Sequence, residues 1–408
     1  MASSAAAHAT RPQLLAPLLA AMAAIAPVAI DTYLPAFEAM TAELGTTRLA
    51  VQQTLTAYLA SYALMSLWHG AISDALGRRR VVVWALAVFL VASLACAAAT
   101  RIEHLWIGRA FQGLFAGAGI VVGRAVARDV LQGSAAQRLL AHVAVIFGLA
   151  PAVAPIIGGW LFGAFGWRSI FLFLACYAGI LILACLRWLP ETLPPQARRP
   201  LRPRDLLAGY RSVFGSGRFW RMALAITANF NGFFIYVLAA PVFLMQHLGV
   251  SAQGFGWLFG PTVAGMMTGS WLSGRLAGRL APVRTIAAGY AIMLVAAATN
   301  LALNAFLPPR LPWAVLPLAA YNLGMALTMP SLTLLIMDLF PKRLGMVSSC
   351  LGFMQSSGNA LVAAIGAPLA WGSTAGLASA QILMLGAGLL LFAAEVTRQS
   401  GRDSARSG

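Results

Sequence analysis

Apolar runs of about twenty residues recur twelve times along this chain, each broken from the next by charge, proline and glycine. Their approximate limits are 14–37, 50–72, 81–100, 104–127, 139–163, 168–189, 219–245, 252–274, 283–304, 313–337, 344–370 and 376–396. A helix of about twenty residues crosses the hydrocarbon core of a bilayer. Inside that core every backbone N–H and C=O must find a partner within the protein, which leaves helices as the solution for runs of this kind. The expected fold class is therefore an all-α membrane protein of twelve transmembrane helices. Composition agrees: 60% of the 408 residues are hydrophobic and 10% are charged, against about 25% charged in a soluble domain.

Charge sets the orientation. Of the 28 basic residues, only Arg48, Arg101, Arg168 and Arg310 fall in segments read as external, and Arg109 and Arg124 fall within a span. The others cluster in alternate loops, which predicts both termini in the cytoplasm. The net charge of +17 does not point to nucleic acid, because the basic residues lie in short loops rather than on one face or in one tail. Residues 190–218 hold Pro194, Pro195, Pro200 and Pro203 among six arginines and part six spans from six. They read as a cytoplasmic linker between an N-terminal half, 1–189, and a C-terminal half, 219–408. Residues 14–30 continue through Asp31 into Phe37 and so read as a retained first helix rather than a signal peptide. Residues 1–10 and 398–408 are expected to be polar tails. Cys96, Cys176, Cys185 and Cys350 lie in or beside apolar runs without metal-ligand spacing, so they are expected to be packing residues.

The loop between the second and third runs reads Gly70-Ala-Ile-Ser-Asp74-Ala-Leu-Gly77-Arg78-Arg79-Arg80. Asp74 stands at a helix C-terminus, where the dipole is already negative, so it needs a cation or another helix's N-terminus. Arg128 and Asp129, at the inner end of the fourth run, are candidate partners by depth. Gly70 and Gly77 leave room for a turn and a close neighbour. This order of residues resembles the loop signature of the major facilitator superfamily, with Ile72 for the usual Leu and Ala75 for a basic residue. The resemblance implies two pseudo-symmetric six-helix halves, 1–189 and 219–408, rocking around a central site, and it assigns Gly70, Asp74, Gly77, Arg78, Arg79, Arg128 and Asp129 to a gating loop.

Of eleven acids, ten lie at membrane edges or in loops; Asp31 alone lies well inside an apolar span. An ionised carboxylate there costs about 2.5–3.5 kcal/mol on insertion scales, so it faces a cavity or a partner. Withdrawal from water favours the protonated acid, which suits a proton carrier, while the alternative is a structural ion pair. Four residues on, Pro35 has no N–H to give the Asp31 carbonyl, which predicts a local kink. The hexapeptide Asp31-Thr-Tyr33-Leu-Pro35-Ala36 resembles the first-helix signature of the bicyclomycin- and chloramphenicol-resistance (Bcr/CflA) branch of the superfamily's drug/proton antiporters. Arg109-Ala-Phe-Gln112-Gly113 is similar to the antiporters' fourth-helix motif, which implies a part for Arg109 in proton coupling. Counting from the span ends puts Asp31 and Arg109 in one layer of the outer membrane half, with Gln112 as a polar bridge. Pro151, Pro155, Gly158 and Gly159 resemble the fifth-helix antiporter motif, with Ala150 and Ala154 replacing its first two glycines; helix packing and a part in coupling both remain open for it.

The second half echoes the first. Pro241-x-Phe243 followed by Leu248-Gly249 parallels Pro35-x-Phe37 followed by Leu44-Gly45, and Gly274 to Arg279 parallels the loop with Arg275 in place of Asp74. Its in-span polar residues Asn229, Asn231, Tyr236, Tyr321, Asn322, Gln355 and Asn359 line a substrate cavity with Asp31, Tyr33 and Gln112, or else bond neighbouring helices. The resemblance implies a proton-coupled multidrug efflux transporter of the bacterial inner membrane. It would export small amphipathic compounds, chloramphenicol- or bicyclomycin-like, by alternating access. Its partners are expected to be the small-molecule substrate, protons and the lipid bilayer, and its state a monomer. An exporter or importer of one natural metabolite is the alternative. No catalytic residue, metal or cofactor is expected, since no nucleophile elbow, phosphate loop or ligand cluster is present in the sequence.

Overall fold

The computed structural model describes residues 12–131, 133–198, 200–341 and 343–407, and no strand occurs among them. The expected N-terminal tail, 1–10, lies outside the described residues. The chain divides into two compact units, Met1–Thr46 with Ala60–Arg202, and Thr47–Leu59 with Pro203–Gly408.

The first unit opens with α1 (Pro12–Asp31), which gives way to a 3-10 turn (Leu34–Ala36) and then α2 (Phe37–Glu43). The break follows from Pro35, whose ring nitrogen cannot donate to a carbonyl four residues back. Next come α3 (Arg48–Ser66), of which the first unit holds only the part from Ala60, α4 (His69–Leu76), α5 (Arg78–Ala97), α6 (Ile102–Ala116), α7 (Ala118–Val130), α8 (Gly133–Phe165) and α9 (Arg168–Trp188). α1 is the central element, packed against α7, α8 and α9, while α5 packs on α6 and α9. Two small residues let α1 come within backbone contact of its neighbours. A Cβ on Gly119 of α7 would overlap the Met22 carbonyl, and one on Gly158 of α8 would overlap that of Thr32. Small residues at helix contacts allow this approach, and dispersion rather than the hydrophobic effect then holds the helices.

The second unit contains α10 (Pro203–Phe214), α11 (Gly217–Leu238), a π-helical stretch (Pro241–His247), a 3-10 turn (Ala252–Phe255), α12 (Gly256–Leu276), α13 (Pro282–Phe306) and α14 (Leu316–Asp338). It closes with α15 (Leu344–Leu361), a second π-helical stretch (Val362–Gly366), α16 (Ala367–Ala370) and α17 (Thr374–Ser407). α14 packs on α12 and α13, and α11 on α17 and α15. At the end of α17's apolar part, the buried Glu395 receives Arg218 Nε at 2.6 Å and Arg221 Nη2 at 2.6 Å. Residues 47–59 join this unit through α3, where Gln53 Nε2 donates to the Ala364 carbonyl at 3.2 Å. The sequence echo has a backbone counterpart: Gly45 and Gly249 have φ of 58° and 64°.

Nine helices among the described residues are long and apolar enough to cross a membrane. The expected spans 50–72, 252–274 and 344–370 are helical as well, in α3–α4, α12 and α15–α16, but fall short of that measure. Their polar residues turn inward, as Gln52, Thr54 and Thr262 do, all fully buried. The outer surface is apolar, with Trp84, Leu183, Leu369, Leu383 and Leu390 each more than 60% exposed. Such a surface suits lipid rather than water. Two expectations need correction. The 190–218 segment is not all linker, because Pro203 starts α10 and Asp205 sits in its first turn, both favourable at a helix start. The C-terminal segment to Ser407, expected as a tail, continues α17, for no proline occurs in 398–407 to break the helix.

Candidate functional site

Asp31 is the last residue of α1 and is 4% exposed. Among the described residues no ion pair or hydrogen bond to its carboxylate is formed. Immediately after it, Thr32 Oγ1 donates to the Val28 carbonyl at 2.7 Å, closing the last turn of the helix. The Thr32 carbonyl faces Gly158, so the segment that follows Asp31 lies directly against the α8 motif. Pro155, Gly158 and Gly159 are buried there and Pro151 is half-buried.

Arg109 on α6 is fully buried. Its Nη1 donates to the Ala29 carbonyl at 3.0 Å and to Gln112 Oε1 at 2.7 Å. Its guanidinium carbon stands 4.5 Å from the centroid of the Tyr33 ring. Arg109 therefore holds the chain two residues before Asp31 and two residues after it, without pairing with the acid itself. The count of helical rise placed the two in one layer; the bonds go to the backbone and ring that flank Asp31. Gln112 passes the chain of bonds on, its Nε2 donating to Ser93 Oγ at 2.7 Å, and Ser93 in turn donates to the Phe89 carbonyl at 2.7 Å. Ser93 was missed by sequence reasoning, although a serine within the run 81–100 was the available signal. Tyr33 is fully buried against Phe37 and Phe171, with centroids 4.9 and 5.8 Å away.

Arg78, the first residue of α5, is the hub of the loop. Its side chain forms an ion pair with Asp74, donates from Nε to Asp129 Oδ2 at 3.2 Å and from Nη1 to Ser73 Oγ at 2.7 Å. Its backbone N–H donates to Glu191 Oε1 at 2.8 Å. Thr192 Oγ1 adds a bond to Asp129 Oδ2 at 2.7 Å, and Arg79 donates to the Leu186 carbonyl. Asp74 and Asp129 are thus joined through one guanidinium, whose five N–H donors suit several acceptors at once. Gly77 turns the chain at φ of 101°, a region unfavourable to other residues. Gly70 does not admit a tight neighbour, since a Cβ there would meet Val121 at an ordinary 3.9 Å. Glu191, a functional candidate the sequence reading treated as a simple edge acid, is the added member of this cluster. Arg128 is exposed and stands apart from it.

In the second unit the in-span polar residues bond one another. Asn229 Nδ2 donates to Tyr290 at 2.9 Å, and Tyr321 donates to the Asn229 carbonyl at 2.9 Å. Asn300 Nδ2 donates to Tyr236 at 2.6 Å and to Gln381 Oε1 at 2.8 Å. Asn231 bonds the Thr227 carbonyl and Asn322 that of Thr262. Gln355 and Asn359 are half-buried on α15. Tyr290 completes the cluster around Asn229, and Asn300 and Gln381 form a second one with Tyr236; none of the three was singled out from sequence, though each is a polar residue within an apolar run.

The Major Facilitator Superfamily sequence profile matches residues 19–367. An uncharacterized MFS-type transporter, YdgK of Bacillus subtilis, is 31% identical over 342 residues, covering 83% of this chain and 85% of that protein. Multidrug resistance protein D of Escherichia coli is 28% identical over 375 residues, 92% of this chain and 93% of the relative. A bicyclomycin resistance protein homolog of Haemophilus influenzae is 27% identical over 258 residues, 63% of this chain and 65% of the relative. Among solved structures, that of the human organic anion transporter MFSD10 (TETRAN) superposes with a TM-score of 0.67 at 19% identity, over 94% of this chain and 99% of that one.

Proposed function

This chain belongs to the major facilitator superfamily, and from that membership we propose that it is a proton-coupled exporter of small amphipathic drugs. It is a multi-pass membrane protein of a transporter family; the bacterial inner membrane, cytoplasmic termini and a monomeric state are part of the proposal. Relatives named for multidrug and bicyclomycin resistance support the substrate class.

One observation carries the proton coupling. Asp31 is a buried carboxyl at the end of a broken helix, outside any ion pair among the described residues. A buried carboxylate is costly, and taking up a proton removes that cost. Each protonation of Asp31 therefore changes how the segment Thr32–Ala36 interacts with its surroundings. Arg109 is bonded on both sides of that segment and Gly158 touches its backbone. In the proposed cycle a proton from outside neutralises Asp31, the protein turns inward, and loss of the proton to the cytoplasm readies it for drug. An inward charge gains about 2.3 kcal/mol per 100 mV of membrane potential. The Arg78 cluster, joining the α4–α5 turn to α7 and to Glu191, holds one end state of that cycle. In the second unit the clusters around Asn229 and Asn300 are buried and bond helix to helix, while Gln355 and Asn359, half-buried on α15, offer polar groups without charge for an amphipathic drug.

The test is a resistance panel in an efflux-deficient host. Expression is expected to lower susceptibility to chloramphenicol- or bicyclomycin-like compounds, and an uncoupler is expected to abolish the protection. Unchanged susceptibility across the panel, at verified membrane expression, contradicts the proposal.

A further inference from the structure

α7 carries Arg124 and Arg128 one turn apart on its exposed side. Neither forms an ion pair or hydrogen bond among the described residues. The acids within reach of this part of the fold are already engaged: Asp129 holds Arg78 and Thr192, and Asp74 holds Arg78. Arg124 lies six residues before the end of α7 at Val130, about 9 Å along the axis. It therefore stands inside the apolar stretch Ile102–Val130 rather than at its rim. A lone cation at that depth is unfavourable, and a like charge at i+4 adds repulsion. Positive-inside orientation accounts for Arg128, near the helix end, but not for Arg124.

Polar side chains lie along this face as well. The Tyr62 phenol is the electrostatic neighbour of Arg124. The Tyr62 and His69 rings converge on Gly117, the residue that caps α7, where a Cβ would stand 3.2 Å from a carbon of each. Gly117, Arg124 and Arg128 follow one another at spacings of seven and four, along one face of the helix. His69 is 2% exposed, yet neither ring nitrogen forms a well-placed hydrogen bond; the Leu114 backbone offers a marginal one. The face thus combines two guanidinium groups without an acid partner among the described residues, a phenol, and a buried imidazole with spare hydrogen-bonding capacity.

We infer that this face of α7 binds an anionic group, a carboxylate or phosphate, of the compounds the protein transports. Arg124 supplies the fork that grips two oxygens, and Arg128 a second positive charge. The inference rests on the export reading and adds a substrate class to it: amphipathic compounds bearing one acid are held in addition to neutral ones.

The test uses the purified full chain in nanodiscs of zwitterionic lipid, titrated with 1-naphthoate and with uncharged 1-naphthamide of the same shape. The wild type is expected to bind the carboxylate at least about tenfold more tightly, as befits a charge-assisted bond. Arg124→Gln is expected to bring the two affinities together by weakening naphthoate alone, and Arg124→Lys to keep part of the preference. Without ligand, Arg124→Gln is expected to melt no lower than the wild type, since it removes repulsion and no bond. Equal wild-type affinities, absence of naphthoate binding, a preference that survives in the Arg124→Gln/Arg128→Gln double variant, or a clear fall in melting temperature for Arg124→Gln overturns the inference. So does tight co-purification of an anionic phospholipid that excludes naphthoate and is lost in the double variant, which assigns the site to a headgroup. Drug resistance retained alongside equal affinities removes the anion site alone; a naphthoate preference without drug resistance removes the export reading alone.

Discussion

Replacing Gly158 by alanine adds one methyl group where α8 meets the segment that follows Asp31. A Cβ there would sit 2.8 Å from the Thr32 Cα and would overlap the Thr32 carbonyl. Nonbonded heavy atoms settle at about 3.5 Å, and the overlap with the carbonyl is deeper than that with Cα, so the two backbones must part by more than about 1 Å. Neither partner can rotate out of the way, because both are main chain. Overpacking of this kind costs about 1–3 kcal/mol. The displaced element is also the one that positions Asp31, so function is expected to suffer beyond stability. The assay pairs thermal unfolding in detergent with drug export from everted vesicles at matched protein. Gly158→Ala is expected to melt several degrees below the wild type and to lose most of its export. Gly352→Ala, in the helix α15 where a Cβ meets nothing within 4 Å, is the control and is expected to melt at or above the wild type. A Gly158→Ala protein that melts and exports as the wild type does would refute the claim that this contact holds the Asp31 segment in place.

Asp74→Asn keeps the shape of its side chain and removes one of the two carboxylates on Arg78; insertion and melting are expected to stay near wild type while export falls, and normal export at equal expression leaves the loop a topological signal only. Glu395→Ala leaves Arg218 and Arg221, both partly exposed, without their shared buried carboxylate, and losing hydrogen bonds to a charged group costs about 1.5–3 kcal/mol. A large fall in the melting temperature is expected, and a change of a degree or less shows the three charges to be solvated instead.

The helices were legible because a twenty-residue apolar run is a local property of the chain. The break at Asp31 was legible for the same reason: Pro35 acts on a carbonyl four residues away. The layer shared by Asp31 and Arg109 came from counting rise along two helices. What counting could not give was the partner. Arg109 bonds the Ala29 carbonyl, 80 residues distant, and only the packing of α1 on α6 decides which backbone group faces it. Glu191 meets the Arg78 N–H across 113 residues, and its position after a helix made it look like an ordinary edge acid. Three spans were apolar enough to mark but too polar to stand alone, because residues such as Gln52 and Thr262 turn toward protein rather than lipid. The start of α10 was written in Pro203 and Asp205, and the surrounding prolines and arginines masked it as a linker.

The central claim, that Asp31 carries the proton that drives export, is tested most directly by drug-induced proton movement in proteoliposomes. Wild-type protein and Asp31→Asn are reconstituted at equal density, and internal pH is recorded as chloramphenicol is added down its gradient. The wild type is expected to move protons against the drug, and Asp31→Asn to bind drug without moving them. Undiminished proton movement by Asp31→Asn, or full uncoupler-sensitive export by that variant in vesicles, contradicts the account.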